Sequence, residues 1–412
     1  MTFELNTIRS QFPALERKDI FFDNPGGTQI SRSSAARIQR YLVECNANHG
    51  GLFKTSQESD ALVEEARRAM ADFLHAARPE EIVIGPNMTS LTFTISRALG
   101  RTLKTGDTLV VTRLDHDANI SPWLMLAEDR GCRVRWVDFH PEDGTLDLDD
   151  LRAALAEGPK MVAVGYASNA LGTINPVAQI TQLAHAAGAL VYIDAVQFAP
   201  HGPIDVQKLG CDFLVCSAYK FFGPHLGVLY GRYELLEQLQ AYKVRPAPVD
   251  PPGKFETGTG NFEHMAGLLG AVEYFEWLGQ HFGEEFHDEY AAAYQGRALA
   301  LKQAMSAVRA YEYNLSRALL ATFDSVPGLK LYGPLAVEQR VPTFSFTLAG
   351  RKPEDVASRL AGQGIYVWNG NFYALAVTER LGLEAAGGRV RVGAVHYNTL
   401  DEVEKLREAL AS

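Results

Sequence analysis

Short apolar runs rich in β-branched residues alternate with longer amphipathic segments through the first two thirds of the chain. The longer segments, such as SQESDALVEEARRAMADFLHA and PVAQITQLAHAAG, repeat their apolar residues at the three- and four-residue spacing of helices. The short runs predict seven strands, near residues 81–85, 107–112, 133–138, 161–166, 189–193, 212–217 and 226–230. Because strands that alternate with helices form parallel sheets covered on both faces, we expect a large α/β domain with a mainly parallel, seven-stranded sheet.

The last third of the chain predicts a second, smaller unit that mixes strands and helices. The stretch AYKVRPAPVDPPGKFETGTGN is rich in Pro, Gly and Thr, so we expect a long loop there, followed by helical structure over 262–325. Strands are then predicted at 329–333 and in VPTFSFTLA, GIYVW and RVRVGAV, and helices from Pro353, near 373–383 and in TLDEVEKLREAL. This alternation predicts a small C-terminal α+β domain.

Length and composition favour two globular domains and exclude several classes of protein. At 412 residues the chain exceeds one compact core, and we expect an N-terminal segment (1–30), a large domain (31–285) and a small domain (286–412). The 47% of hydrophobic residues argues against disorder. The formal charge of −10 leaves no basic excess for nucleic acid or anionic membranes, and no apolar run is long enough to span a bilayer. The start is too polar for a signal peptide, so we expect a soluble, cytoplasmic protein.

Polar side chains follow five of the predicted strands at the point where each strand ends. In chain order they are Thr89 and Ser90, His116, Asn169, Asp194 and Gln197, and finally Ser217, Tyr219 and Lys220. Ligands of open α/β sheets bind beyond the carboxyl ends of the strands. These groups therefore predict one site at one edge of the sheet.

The residue types in this set share one chemical use. Hydroxyls at a helix N-terminus, as at Thr89 and Ser90, favour an anion such as phosphate. Asp194 ends a buried strand and is costly there unless a cation meets it. Lys220, among aromatic and small residues, loses proton affinity, and a neutral amine can form a Schiff base. Phosphate, ring cation and aldehyde on one ligand describe pyridoxal phosphate.

The order of the motifs DHDAN, SNALGTINP, IDAVQ, SAYK and FETGTGN resembles that of the class V aminotransferase family of fold-type I pyridoxal phosphate enzymes, and its cysteine desulfurase branch most closely. The likeness runs from FFDNPGGTQIS near the start to RVRVGAVHYNT near the end. It implies the fold-type I transferase fold, a small amino acid as substrate, and an N-terminal segment near the mouth of the active site.

The resemblance also implies roles around the cofactor ring. Lys220 would carry the cofactor as a Schiff base and later move the α-proton. Asp194 would keep the pyridinium nitrogen protonated, and His116 would stack on the ring face. Asn169 and Gln197 would hydrogen-bond the phenolic oxygen of the ring.

Further residues are implied at the phosphate. Thr89 and Ser217 would hold it, with Ser90 and Tyr219 among the cofactor contacts. Thr259, in FETGTGN, would reach the phosphate of the neighbouring subunit, which implies a homodimer with shared sites.

At the substrate, Arg391 would bind the carboxylate in a bidentate pair, and Asn371 and Tyr373 are candidate contacts.

The chain departs from the desulfurase pattern at several positions. Tyr373 stands where desulfurases keep the cysteine that takes up sulfur as a persulfide. Tyr219 replaces their usual histidine before the lysine, and NHGGLF departs from their basic, histidine-containing version. The four cysteines, which lack C-x-x-C spacing and none of which falls in 217–412, are Cys45, Cys132, Cys211 and Cys216. The sequence therefore predicts no persulfide chemistry.

The resemblance to the desulfurase branch, without its cysteine, implies β-elimination, a C–S lyase reaction, on cysteine or a cysteine conjugate. Transamination, epimerisation, β-replacement and carbon–carbon bond formation stay open, because one scaffold supports them all. A pyridoxal phosphate-binding protein without turnover is a further alternative, although binding alone needs no carboxylate clamp such as Arg391. The acidic and histidine-rich stretch HFGEEFHDEY matches no zinc motif, and we expect no metal.

Overall fold

The computed structural model describes residues 3–411, and the strands within them form three sheets. In chain order the strands are β1 (Ile20–Phe21), β2 (Ile82–Gly85), β3 (Thr108–Thr112), β4 (Arg133–Val137), β5 (Met161–Gly165), β6 (Leu190–Asp194), β7 (Phe213–Ser217), β8 (Gly227–Gly231), β9 (Leu329–Tyr332), β10 (Thr343–Leu348), β11 (Ile365–Tyr366), β12 (Trp368–Gly370) and β13 (Arg389–Gly393).

The largest sheet has seven strands in the order β2-β8-β7-β6-β5-β3-β4 and is called the large sheet below. β8 runs antiparallel to both of its neighbours, and the other neighbouring pairs are parallel. Every residue of β3, β5, β7 and β8 is buried, as expected for strands covered on both faces. The prediction of an α/β fold on a mainly parallel seven-stranded sheet is confirmed.

Helices cover both faces of the large sheet. In chain order the α-helices are α1 (Leu5–Arg9), α2 (Arg32–Glu44), α3 (Lys54–Leu74), α4 (Met88–Gly100), α5 (Ser121–Arg130), α6 (Leu148–Ala156), α7 (Val177–Ala186), α8 (Val206–Leu209), α9 (Tyr233–Gln238), α10 (Phe262–Phe282), α11 (His287–Tyr290), α12 (Gly296–Ser325), α13 (Pro353–Ala361), α14 (Leu375–Arg380) and α15 (Leu400–Ala411).

Side chains that alternate along a strand enter different apolar cores. Val110 packs in a core with residues of α3 and α10, whereas its neighbours Leu109 and Val111 pack in a second core with residues of α4 and α5. The predicted loop at 241–261 lies between α9 and α10 and contains neither helix nor strand.

The small sheet has four antiparallel strands in the order β12-β13-β10-β9. It packs against α12, α13 and α15 around a third apolar core that includes Phe344, Phe346 and Leu406. The run GIYVW, predicted as one strand, is divided at Val367. β11 pairs in parallel with β1 of the N-terminal segment, and β12 pairs with β13. The two halves of the run therefore belong to two different sheets.

The predicted division at residue 285 falls in the turn of 3-10 helix Glu284–Phe286, just after α10. The division into three segments stays a prediction, since α12 contacts α10 as well as α15. Within residues 3–411, none of the helices combines the length and apolar character that crossing a bilayer requires.

Candidate active site

A cavity of about 490 Å³ opens where the ends of the large sheet's parallel strands meet the small sheet. The sequence-predicted residues that line it come from several strand ends and from the small-sheet unit; they are Thr89, His116, Asn169, Asp194, Gln197, Tyr219, Lys220, Tyr373 and Arg391. Ser90, Ser217, Thr259 and Asn371 do not line it. The cavity thus collects most of the predicted site.

Lys220 ends the 3-10 turn Ala218–Lys220, which follows β7 directly. Its side chain is buried, and its Nζ donates a hydrogen bond to the carbonyl oxygen of Pro25 in the N-terminal segment. Burial, with a smaller contribution from the positive charge of Arg391, lowers the pKa of the amine to about 7. A large share of the amine is therefore neutral near pH 7, which is the form that attacks an aldehyde.

Asp194 is the last residue of β6 and lies buried at the floor of the cavity. Its Oδ1 accepts a hydrogen bond of 2.9 Å from the backbone N–H of Val196. Burial raises the pKa of this carboxyl group to about 6. No ion pair between described residues includes Asp194, so the carboxylate suits a cationic ligand such as the protonated ring nitrogen of pyridoxal phosphate.

Asp115 is a second buried carboxyl group in the cavity wall, and sequence reasoning missed it. It accepts hydrogen bonds from the hydroxyl of Thr112 and, at 2.7 Å, from Nδ2 of Asn119. Burial raises its pKa to about 8, and the nearby charge of Asp194 adds to the effect. Its place directly after the run TLVVTRL, three residues beyond the end of β3, was the available signal, because the end of a buried strand lies inside the fold.

His116 is the N-cap of the 3-10 turn Asp117–Asn119. Its Nδ1 accepts a hydrogen bond of 3.0 Å from the backbone N–H of Ala118. This bond leaves Nε2 as the protonated nitrogen of the neutral ring. Burial lowers the pKa of His116 to about 4, helped by the charges of Lys220 and Arg391. The ring lies parallel to that of Tyr373, with 5.7 Å between centroids and 16° between planes.

The N-terminus of α4 reaches the cavity through Met88 and Thr89. Ser217 stands behind this turn, where its Oγ accepts a hydrogen bond of 3.1 Å from the N–H of Met88. The turn can approach the sheet because Gly227 lacks a side chain: a Cβ there would lie 2.3 Å from the carbonyl carbon of Asn87. The arrangement suits an anion at the helix N-terminus, with Ser217 as a support of the turn.

Arg391, on β13, is buried and pairs with Asp23 of the N-terminal segment, with 3.1 Å between Nη2 and Oδ1. Its Nη1 donates to the carbonyl oxygen of Asn169 at 3.2 Å. Its Nε is buried and has no hydrogen-bond partner among the described residues. A carboxylate ligand could therefore complete the set of bonds around the guanidinium. Asp23 was missed as a site residue, although it lies in the quoted motif FFDNPGGTQIS.

The two predicted amides make contacts that the sequence did not indicate. Nδ2 of Asn169 donates to the carbonyl oxygen of Phe372 at 2.8 Å, while its Oδ1 is buried without a partner among the described residues. Nε2 of Gln197 donates to Oγ1 of Thr343 at 2.9 Å. Both side chains line the cavity and also join the large sheet to the small-sheet unit.

The remaining predicted residues lie at or beyond the rim. Ser90 follows the N-cap Asn87 and donates its N–H to that side chain. Asn371 donates to the carboxylate of Glu384 in an adjoining surface cavity, and Thr259 is exposed on the 241–261 loop. Tyr373 stands at the lip of the main cavity and is 75% exposed.

None of the four cysteines lines the cavity. Cys211 and Cys216 are buried, and Cys45 and Cys132 are partly buried elsewhere. Burial raises the pKa of the Cys211 and Cys216 thiols far above the ordinary value, so neither is a ready nucleophile.

Comparisons with known proteins show the family to which the chain is similar. A family model described as aminotransferase class V matches residues 20–304 and 291–406. The chain is 35% identical to the aminotransferase-like protein FGM3 of Gibberella zeae, over 99% of this chain and 98% of that protein. It is 32% identical to a cysteine desulfurase of Dickeya dadantii, over 98% of this chain and 95% of that protein.

Solved structures show the same fold. The apo structure of a cysteine desulfurase from Thermococcus onnurineus NA1 covers 98% of this chain, and 97% of its own chain is matched, with a TM-score of 0.86 and 28% identity. The cysteine desulfurase CsdA of Escherichia coli covers 99% of this chain, and 98% of its own chain is matched, with a TM-score of 0.83 and 27% identity.

Proposed function

Because the chain belongs to the class V aminotransferase family and is a pyridoxal phosphate-dependent enzyme, we propose that it cleaves the Cβ–S bond of cysteine or a cysteine conjugate without a protein persulfide. The observation that carries this proposal is the wall of the cavity: it contains Lys220, Arg391 and Tyr373 but no cysteine. The similarity to cysteine desulfurases supports a sulfur-containing amino acid as substrate.

The cofactor would be held by the strand-end residues. Lys220 would bind it covalently, Asp194 would meet its ring nitrogen, and His116 would lie on its ring face. Thr89 at the start of α4 would contact the phosphate. The buried Oδ1 of Asn169, which lacks a partner among the described residues, supports a contact of this side chain with the ring substituents. When bound, pyridoxal phosphate withdraws electrons from the α-carbon of an amino acid.

The protein's own groups would orient the substrate and move one proton. Arg391, which lines the cavity, would bind the α-carboxylate. The amine of Lys220, with its lowered pKa, would accept the proton from the α-carbon and so serve as general base. The neutral His116 has a ring N–H to donate to the leaving sulfur or to the cofactor.

The proposed reaction balances without an external oxidant or reductant. The Cα–H bond breaks and its proton passes to Lys220, and the Cβ–S bond breaks with its electron pair leaving on sulfur. The sulfur takes a proton and departs as a thiol, or as sulfide from cysteine itself. The remaining three-carbon enamine reacts with water to give pyruvate and ammonium.

We also assign the chain to a homodimer in which Thr259 reaches the neighbouring site. Thr259 is exposed, lies outside its own cavity and belongs to a 241–261 loop that also exposes Tyr242, Val244 and Val249. Exposed apolar side chains in one loop favour burial against a partner. Light scattering of the holoenzyme measures the oligomeric state, and a monomer contradicts the assignment.

Transamination is the second candidate, and the similarity to an aminotransferase-like protein supports it. The deciding experiment incubates holoenzyme with single amino acids and assays thiol, pyruvate, ammonium and 2-oxo acids together. Equal yields of thiol, pyruvate and ammonium support elimination. A 2-oxo acid without ammonium, together with conversion of the cofactor to its amine form, supports transamination and contradicts the lyase.

A further inference from the structure

Two kinds of side chain line the cavity. Lys220, Asp194 and Arg391 are buried and ionisable. Five further lining residues carry rings, which are Phe93, Pro122, Trp368, Phe372 and Tyr373. Two of these residues are largely exposed: the exposed fraction is 57% for Trp368 and 75% for Tyr373. Large aromatic side chains that face a ligand cavity are binding surface that the fold itself leaves uncovered.

Trp368 stands beside the carboxylate clamp by strand register. β12 and β13 are antiparallel, and Trp368 is the direct partner of Arg391 across the pair. Directly opposed residues project from the same face of a sheet, with Cβ atoms about 5 Å apart. Both side chains line the cavity. A substrate whose carboxylate is held by Arg391 therefore has its other substituents within reach of the indole.

The backbone of Tyr373 is held in place by bonds from the large-sheet side of the cavity. Phe372 and Tyr373 have φ of 61° and 56°, a conformation that is uncommon and costly for non-glycine residues. Two hydrogen bonds from the large-sheet side hold this turn. The side chain of Asn169 donates to the carbonyl oxygen of Phe372, and the backbone N–H of Asp117 donates to the carbonyl oxygen of Tyr373 at 2.7 Å. The position of the Tyr373 ring is thus built into the contact between the two units.

The acidic side chains near the rim already have hydrogen-bond partners. The carboxylate of Asp117 accepts a bond of 2.6 Å from the hydroxyl of Ser121, and that of Glu384 accepts from Asn371 at 3.2 Å. The exposed surface of Trp368, and that of Tyr373 beyond its stacking contact with His116, are left for a ligand.

We infer that the substrate carries a large aromatic or apolar side chain, which lies against Trp368 with Tyr373 at the mouth. This inference rests on the proposed function and narrows it: the preferred substrate is a cysteine S-conjugate with an aryl or benzyl group on sulfur, rather than free cysteine. Trp368 is then a residue that determines specificity, next to the clamp that all amino acids share.

The test measures binding without turnover. Holoenzyme is titrated by calorimetry with 3-phenylpropionate and with propionate, which keep the carboxylate but have no amine to react with the cofactor. We expect 3-phenylpropionate to bind about tenfold more tightly, in keeping with an aromatic contact. Trp368→Ala should remove most of this preference, and Trp368→Phe should retain it. Leu400→Ala, an exposed apolar residue of α15, is the matched control.

Turnover of S-benzyl-L-cysteine and of L-cysteine completes the test. A higher kcat/KM for the benzyl conjugate, lost in Trp368→Ala and kept in Trp368→Phe, supports the inference. Equal binding of the two acids, or a preference for free cysteine with intact lyase activity, overturns it. A Trp368→Ala variant that dissociates into monomers with unchanged preference also overturns it, because the indole then serves the subunit contact. If no amino acid is cleaved but 3-phenylpropionate is still preferred, the lyase proposal fails and the aromatic subsite stands.

Discussion

Arg391 and Asp23 form an ion pair, 3.1 Å between Nη2 and Oδ1, that joins the small sheet to the N-terminal segment, with Arg391 buried and Asp23 partly exposed. The pair gives the guanidinium one carboxylate and leaves its Nε unbonded among the described residues. Asp23 therefore orients Arg391 and neutralises part of its charge when no substrate is bound. A substrate carboxylate adds a second negative group to the same guanidinium.

Asp23→Asn should lower the free energy of unfolding by about 1–3 kcal/mol, because Arg391 stays buried without a carboxylate. Propionate should then raise the melting temperature of this variant more than that of the wild type, since the ligand supplies the missing charge. Thermal unfolding with and without propionate measures both effects. Asp19→Asn is the control, because Asp19 pairs with the exposed Arg17. An equal response to propionate in all three proteins contradicts the positioning role.

Lys220 should take up the cofactor with a pH dependence centred near 7. The amine must be neutral to attack the aldehyde, and burial lowers its pKa to about 7, so attachment should slow as the pH falls below 7 and level off above 8. Stopped-flow absorbance of cofactor-free protein mixed with pyridoxal phosphate follows the rate. A midpoint near 10, the range of an ordinary lysine, contradicts the assignment. Lys220→Ala should show no covalent attachment after borohydride reduction, measured by intact mass.

The site could be predicted from the residues at the strand ends, because the fold places those strand ends next to one another. Parallel strands bring their carboxyl ends to one edge, so His116, Asp194 and Lys220 share a cavity although they lie far apart in sequence. The same reasoning predicted the large sheet, whose apolar runs match its strands to within a residue or so at each end.

Contacts between the two units could not be predicted in this way. The bonds from Asn169 to Phe372 and from Gln197 to Thr343 depend on how the small sheet packs on the large one. Hydrophobic periodicity describes the faces of single elements and carries no information about that packing. For the same reason, the neighbourhood of Trp368 and Arg391 became visible only with the register of β12 and β13.

Arg391→Ala should weaken amino-acid binding by about 2–4 kcal/mol, because one partner of a buried charge pair is lost. Arg391→Lys should recover part of the affinity but lack the bidentate geometry of a guanidinium. Titration of the holoenzyme's visible spectrum with an amino acid gives both dissociation constants. Unchanged affinity in Arg391→Ala removes this residue from the carboxylate site. A loss of affinity that is restricted to amino acids with large side chains also argues against Arg391 as the carboxylate site.

The four cysteines should be dispensable for C–S cleavage. None lines the cavity, and the buried Cys211 and Cys216 cannot be reached without unfolding. Cys45→Ser and Cys132→Ser, alone and together, should keep kcat for a cysteine conjugate within about twofold of the wild type, as expected of surface changes. Sulfide or thiol release assayed with pyruvate gives the rate. A large loss that mild alkylation of the folded wild type reproduces indicates a cysteine nucleophile.

The contribution of Asp115 and Asp194 to the stability of the cofactor-free protein should fall as the pH rises from about 4 to about 8. Burial raises the pKa values of Asp194 and Asp115 to about 6 and about 8, so the folded state holds protons that the unfolded chain releases at lower pH. The stabilising effect is full below pH 4 and is lost as each folded-state pKa is passed. Relative to the wild type, Asp115→Asn should make the slope of stability against pH less negative from about pH 4 to 8, and Asp194→Asn from about pH 4 to 6, measured by urea unfolding at each pH. The exposed Asp143→Asn is the control, and a curve in either variant that parallels the wild type contradicts the assignment of that carboxyl group.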